Sequence, residues 1–98
     1  MNITTHKSNN TVTLSVEGRL DTTTAPELEK TIEEACEGVC ELVLNLENLA
    51  YISSAGLRVL LSAQKKMSKQ GSMKLKNVCE TVMDVLEMTG FADILVIA

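Results

Sequence analysis

Two neighbouring hydroxyls, Ser53 and Ser54, stand in the string Tyr51-Ile52-Ser53-Ser54-Ala55-Gly56. An apolar, β-type run, Leu42-Val43-Leu44, precedes them, and Leu57, Leu60 and Leu61 follow at helical spacing. The pair therefore sits where the exit loop of a strand becomes the start of a helix. Backbone N–H groups are unpaired there and the helix dipole is positive, so an added anion is held rather than repelled. The chemistry that suits such a place is acceptance of a phosphoryl group. A neutral serine then gains roughly −1.5 to −2 charges and three strong acceptor oxygens. The plainer role is capping, because serine is a preferred N-cap.

A serine nucleophile needs an adjacent base and a third group to orient it. The single histidine, His6, falls in a polar N-terminal segment, and neither a Gly-x-Ser-x-Gly elbow nor a Gly-Lys-Thr phosphate loop occurs. The acidic cluster Glu27, Glu29, Glu33 and Glu34 reads as a solvated helix face. Cys36, Cys40 and Cys79 read as small buried hydrophobes rather than metal ligands, and Met67, Met73, Met83 and Met88 as fillers of core gaps. No enzymatic activity and no cofactor are expected.

The chain has 98 residues, enough for one domain over 1–98 and too few for two. Apolar residues are 45% of it, but Tyr51 and Phe91 are the only aromatics, so the core must be aliphatic. A net charge of −4 without a run of Lys or Arg argues against nucleic acid or an anionic membrane as partner. No apolar run approaches the roughly 18 residues of a membrane helix, and the N-terminus has no apolar signal core. With three cysteines, an odd number, a reducing, cytoplasmic location is expected.

The elements that would position the serines follow from periodicity. Thr11 to Glu17 alternates, with Val12, Leu14 and Val16 on one face, and Ile3 to His6 can pair with it through the turn Ser8-Asn9-Asn10. Gly18-Arg19-Leu20-Asp21 is expected to leave the sheet. Thr24 and Glu27 predict a capping box, with Pro26 in the first turn and Leu28, Ile32 and Ala35 as the apolar stripe. Gly38 is expected to cap that helix. Cys40 to Leu46 reads as a central strand and Glu47 to Ile52 as a loop. A second helix, from Ser54 to Lys69, places Leu57, Leu60, Leu61 and Gln64 on one face and stops at Gly71. A strand over Met73 to Val78 follows. A third helix, Glu80 to Met88, turns Val82, Val85, Leu86 and Thr89 inward and is capped by Gly90, with Phe91 supplying an apolar contact. Ile94 to Ile97 reads as a last strand. The order β-β-α-β-α-β-α-β predicts an α/β fold with right-handed crossovers.

Asn45, Leu46, Glu47, Leu49, Tyr51, Ser54, Gly56 and Leu57 together resemble the signature segment of the STAS domain, most closely that of the anti-sigma factor antagonists. The resemblance implies a single small domain, a mixed sheet of about five strands with helices packed mainly on one face. It implies a binding module whose unphosphorylated form engages an anti-sigma factor that is also a serine kinase, freeing a sigma factor. The kinase binds the ATP and modifies the antagonist, which releases the partner; a protein phosphatase resets it. The accepting serine of the family lies two positions before the glycine of Gly-Leu, which is Ser54 here, with Ser53 as the alternative. The family's aspartate is replaced by Ser53 and its second hydroxyl residue by Ala55.

Asp21, in Gly18-Arg19-Leu20-Asp21, also matches the family pattern, which would place it on the partner-binding rim beside Thr22 and Thr23. Its other reading is an ordinary turn aspartate bonding the N–H of Thr23 or Thr24. Gly56 would allow a partner's backbone to approach, or would serve a tight strand-to-helix junction. Arg58 would touch a partner or the phosphate, or be merely solvated. Because Ser53 stands where the family has an acid, a non-phosphorylated scaffold or ligand-sensing STAS domain is the alternative function.

Overall fold

Alternation along one long strand centres the fold in the computed structural model, which describes residues 1–98. That strand, β2 (Thr11–Leu20), turns Val12, Leu14, Val16 and Leu20 inward, all almost fully buried. It follows β1 (Asn2–Ser8) through a tight turn in which Asn9 takes a left-handed φ of 56°, a conformation asparagine tolerates. The two strands pair antiparallel from Asn2 with Glu17 to Ser8 with Thr11.

Helix α1 (Ala25–Ala35) carries the chain to β3 (Glu41–Asn45), which lies parallel to the first half of β2, Leu14 beside Leu44. Then come β4 (Leu49–Ile52), α2 (Ser54–Gln70), β5 (Ser72–Lys76), α3 (Glu80–Met88) and a 3-10 turn at Phe91–Asp93. The sheet order is β1-β2-β3-β5, with β4 paired to β2. All pairings except β1 with β2 are parallel.

Apolar faces of all three helices share one core with the sheet. Leu28 and Ile32 of α1, Leu57, Leu60, Ala63 and Met67 of α2, and Val82 and Leu86 of α3 join Val12, Leu14, Leu42, Leu44, Met73 and Leu75. The other face of the sheet carries Thr13, Ser15, Asn45 and Lys74, none of them buried, around the buried Val43. The fold is thus a small α/β domain with a five-stranded mixed sheet and helices on one face, as expected.

Several local expectations change. Gly18–Leu20 does not leave the sheet, and Leu49–Ile52 is a strand rather than a loop. The two segments pair in parallel, Gly18 with Leu49 and Leu20 with Ile52, past an irregularity at Gly18/Arg19 where Gly18 has φ 107°. The reason is length: β2 has ten residues and β3 only five, so the far half of β2 needs a second neighbour. Conversely, Ile94–Ile97 forms no strand. Only a bridge between Leu75 and Ile97 remains, with Leu75 N–H donating to the Val96 carbonyl at 2.8 Å.

The predicted capping box is absent. Thr24 is the N-cap of α1 but makes no side-chain cap bond; its hydroxyl instead donates to the Arg19 carbonyl at 2.8 Å. Gly38 is left-handed (φ 73°) but lies beyond the cap residue Cys36, in the turn towards β3. Gly71 does end α2, but in an extended conformation; an added Cβ would overlap the Cys40 carbonyl oxygen. Gln70 ties the same corner, its Nε2 donating to the carbonyls of Cys36 (2.7 Å) and Val39 (2.6 Å). Gln64 reaches the half-buried flank of α2, where its Oε1 is enclosed without a partner. Thr89 faces solvent, its hydroxyl turned back to the Val85 carbonyl. Met88 is 86% exposed and Cys40 is exposed, so neither fills the core, whereas Cys36 does and burial pushes its thiol pKa up.

Candidate functional site

The site is built where two parallel strands end side by side. Leu20 closes β2 and Ile52 closes β4, and they are register partners. The next residues, Asp21 and Ser53, therefore leave the sheet at the same edge. A hydrogen bond from Ser53 N–H to the Leu20 carbonyl (2.9 Å) fastens the two exits together.

Ser53 is the N-cap of α2, with extended backbone (φ −101°, ψ 177°). Its Oγ accepts from the Gly56 N–H at 3.5 Å, a long bond, and its carbonyl takes the first helical bond from Leu57 N–H at 3.0 Å. Ser53 is half-buried in this role. Ser54, the first residue of α2, is exposed. The two serines therefore divide the readings made of them: Ser53 caps, and Ser54 presents a hydroxyl outward. Ala55 packs partly against the core.

Gly56 is buried, and its neighbours show why no side chain fits. An added Cβ would lie 2.7 Å from Leu20 Cγ and 2.9 Å from Ile52 Cγ1. The close approach that Gly56 permits is thus intramolecular, α2 settling onto the ends of β2 and β4. The junction reading of Gly56 is therefore met in the geometry. Arg58 is exposed on the next turn of α2.

Asp21 organises the facing loop. Its Oδ1 accepts from the N–H groups of Thr23 (3.0 Å) and Thr24 (3.1 Å), and its own N–H donates to Thr24 Oγ1 at 2.9 Å. The Thr24 N–H bond, opposed by partial desolvation and helped by the Thr23 N–H, holds the Asp21 carboxyl below the usual carboxylate range. The turn-aspartate reading is therefore met in the geometry. Thr22 and Thr23 are exposed on the rim of that loop. The structure thus brings the Asp21–Thr23 loop and the Ser53–Ser54 junction to one edge.

One feature escaped sequence reasoning. Arg19 and Tyr51 are register partners in β2 and β4, and the guanidinium stacks over the ring, 4.2 Å from its centroid. Tyr51 keeps 36% of its surface exposed. Strand alternation would not have revealed it, because Leu49 two positions earlier is inward while Tyr51 is exposed, so β4 departs from the two-residue period. Such a stack holds both side chains in place on the surface.

His6 lies on β1 opposite Thr13, away from the Ile52–Ser53 exit, and no three His, Cys, Asp or Glu side chains are grouped to hold a metal ion. No helix is long and apolar enough to cross a membrane.

Comparison with known proteins adds an independent line. A model described as the STAS domain matches residues 2–98. The anti-sigma-B factor antagonist of Bacillus subtilis is 29% identical over 96 residues, spanning 97% of this chain and 88% of that protein. BtrV of Bordetella bronchiseptica, named for anti-sigma factor antagonism, is 33% identical over 100 residues, spanning 100% and 86%. The Bacillus cell fate determinant SpoIIAA, solved in its phosphorylated form, superposes with a TM-score of 0.76 at 21% identity, covering 99% of this chain and 91% of that one.

Proposed function

This chain belongs to the STAS domain family, among the anti-sigma factor antagonists, and from that membership we propose that it is a phosphorylation-controlled binding module acting in the cytoplasm. Its partner is an anti-sigma factor with serine kinase activity, which docks on the edge formed by Asp21, Thr22, Thr23 and the start of α2. Docking of the unmodified chain frees a sigma factor. The chain is substrate and binder rather than catalyst.

The observation that carries this reading is the exposure of Ser54 at the N-terminus of a long helix, beside a second loop fastened through Leu20 and Ser53. In the modifying step, Ser54 Oγ attacks the γ-phosphorus of ATP held by the kinase. The Oγ–P bond forms, the bond to the β,γ-bridging oxygen breaks, ADP leaves, and the hydroxyl proton passes to a base of the kinase. A phosphatase later directs water at the phosphorus; the Oγ–P bond breaks, inorganic phosphate leaves, and a proton returns to Oγ. The fold accommodates the product, because the first turn of α2 contains no acidic residue and its free N–H groups favour an anion. A partner surface fitted to a small hydroxyl must instead meet a bulky dianion. A loss of about 3 kcal/mol there lowers affinity roughly a hundredfold, enough for a switch without refolding.

The test is incubation with the cognate anti-sigma kinase and ATP, followed by site mapping and a pull-down. Phosphate is expected on Ser54, no uptake in Ser54→Ala, and weakened retention of Ser54→Asp. Phosphate at Ser53 or elsewhere, or equal retention of all forms, would overturn the reading. One observation favours a second reading, a scaffold that is never modified: Ser53 occupies the N-cap, at the position where the resembled family pattern has an aspartate. Large self-assemblies on size-exclusion chromatography, with no phosphate uptake, would select it.

A further inference from the structure

Ser54 is the first residue of α2, and Arg58 stands four positions later. Side chains at i and i+4 lie on the same helix face, one above the other. Both residues are exposed. Arg58 is the first charged side chain along α2, whose first turn is free of acid, and the one salt bridge of the fold joins Lys74 to Glu41 elsewhere, at 3.9 Å. The guanidinium next to the candidate acceptor is therefore uncommitted.

We propose that Arg58 is the positioning residue for the modified state: it clamps the phosphoryl group of phospho-Ser54 against α2 and is itself withdrawn from the docking face. One modification then changes two groups that a partner meets, a hydroxyl and a guanidinium. The proposal rests on Ser54 being the acceptor. Three physical points favour the clamp. An anion N-terminal to a cation at i,i+4 is the preferred order, and the anion here also meets the positive end of the helix dipole. A planar guanidinium meets phosphate oxygens through two parallel N–H bonds, which a lysine cannot. The N–H of Gly56 is taken by Ser53 Oγ and that of Leu57 by the Ser53 carbonyl, so Ser54 and Ala55 keep the first donors of α2 for the phosphate.

Other charges lie nearby but do not compete. Asp21 on the adjoining loop is held by the N–H groups of Thr23 and Thr24, and Arg19 is stacked on Tyr51. Both stay the same in every variant compared below.

The experiment needs no kinase: phosphoserine is installed at position 54 during translation, and the phosphorus resonance is titrated in wild type, Arg58→Gln and Arg58→Lys. The second phosphate pKa, ordinarily about 6, is expected to lie roughly 0.3 pH unit lower in wild type than in Arg58→Gln, the size of an i,i+4 ion pair. Arg58→Lys should recover part of the difference, and the Arg58 Nε–H resonance should shift on modification. Equal pKa values in wild type and Arg58→Gln would overturn the clamp. That failure would leave kinase mapping to Ser54 untouched, whereas mapping to another residue would sink the switch while the titration still reported the pair. Position 58 is a solvent-facing helix site, so replacement leaves the fold in place.

Discussion

Replacing Gly56 by alanine separates the two readings of that residue. The added Cβ would sit 2.7 Å from Leu20 Cγ, 2.9 Å from Leu20 Cδ2 and 2.9 Å from Ile52 Cγ1. Neither neighbour can swing away: Leu20 is 0% exposed and Ile52 3%. Forcing a methyl into such a contact costs about 2–3 kcal/mol. Removing glycine from a helix interior returns about 1 kcal/mol. The net expectation is a loss of about 1–2 kcal/mol, which for a domain of this size lowers Tm by roughly 5–10 °C. Thermal and urea melts followed by circular dichroism read this directly. A variant that melts within about 2 °C of wild type, yet no longer binds its partner, would show that the glycine serves partner approach and that the packing argument is wrong.

Two further outcomes test the cap and the loop. Ser53→Ala should destabilise by about 0.5–1 kcal/mol through loss of a long cap bond, and Ser53→Asp should stabilise by about 0.5 kcal/mol because no acid yet faces the dipole of α2; urea denaturation decides, and an aspartate variant weaker than wild type contradicts the account. Asp21 has a lowered pKa in the fold, so its stabilising effect is complete above its unfolded value of about 3.9 and disappears as pH falls through the lower, folded value. The Tm difference between wild type and Asp21→Asn should therefore shrink in acid, and a difference constant from neutral pH downwards would mean the Thr23 and Thr24 N–H groups do not hold the charge.

The contrast between α3 and β4 shows where sequence reasoning reaches. α3 runs from Glu80 to Met88 as predicted, because a 3.6-residue period and a left-handed glycine at position 90 are both local signals. β4 has four residues, with Leu49 and Ile52 inward and Ala50 and Tyr51 outward, too short a pattern to separate from a loop. Its partner is the far half of β2, remote in sequence. The same limit hid the Arg19–Tyr51 stack and the loss of the capping box: Thr24 is the N-cap as predicted, but its hydroxyl is drawn to the Arg19 carbonyl by a loop that no capping rule describes. At the C-terminal end the reverse occurred: Ile94 to Ile97 has strand-like composition, but only Ile97 bridges the sheet.

For the candidate site, residue order placed two hydroxyls at a helix start with Gly56 and Arg58 beside them as open alternatives, and the family resemblance added Asp21. Periodicity is local, so the chain could announce that α2 begins near Ser54. Which serine faces outward, and what Gly56 packs against, depended on which atoms lie across the junction. Those atoms belong to Leu20 and Ile52, brought together by parallel strand pairing. Such pairing joins backbone groups through space, and nothing in the neighbouring residues encodes it.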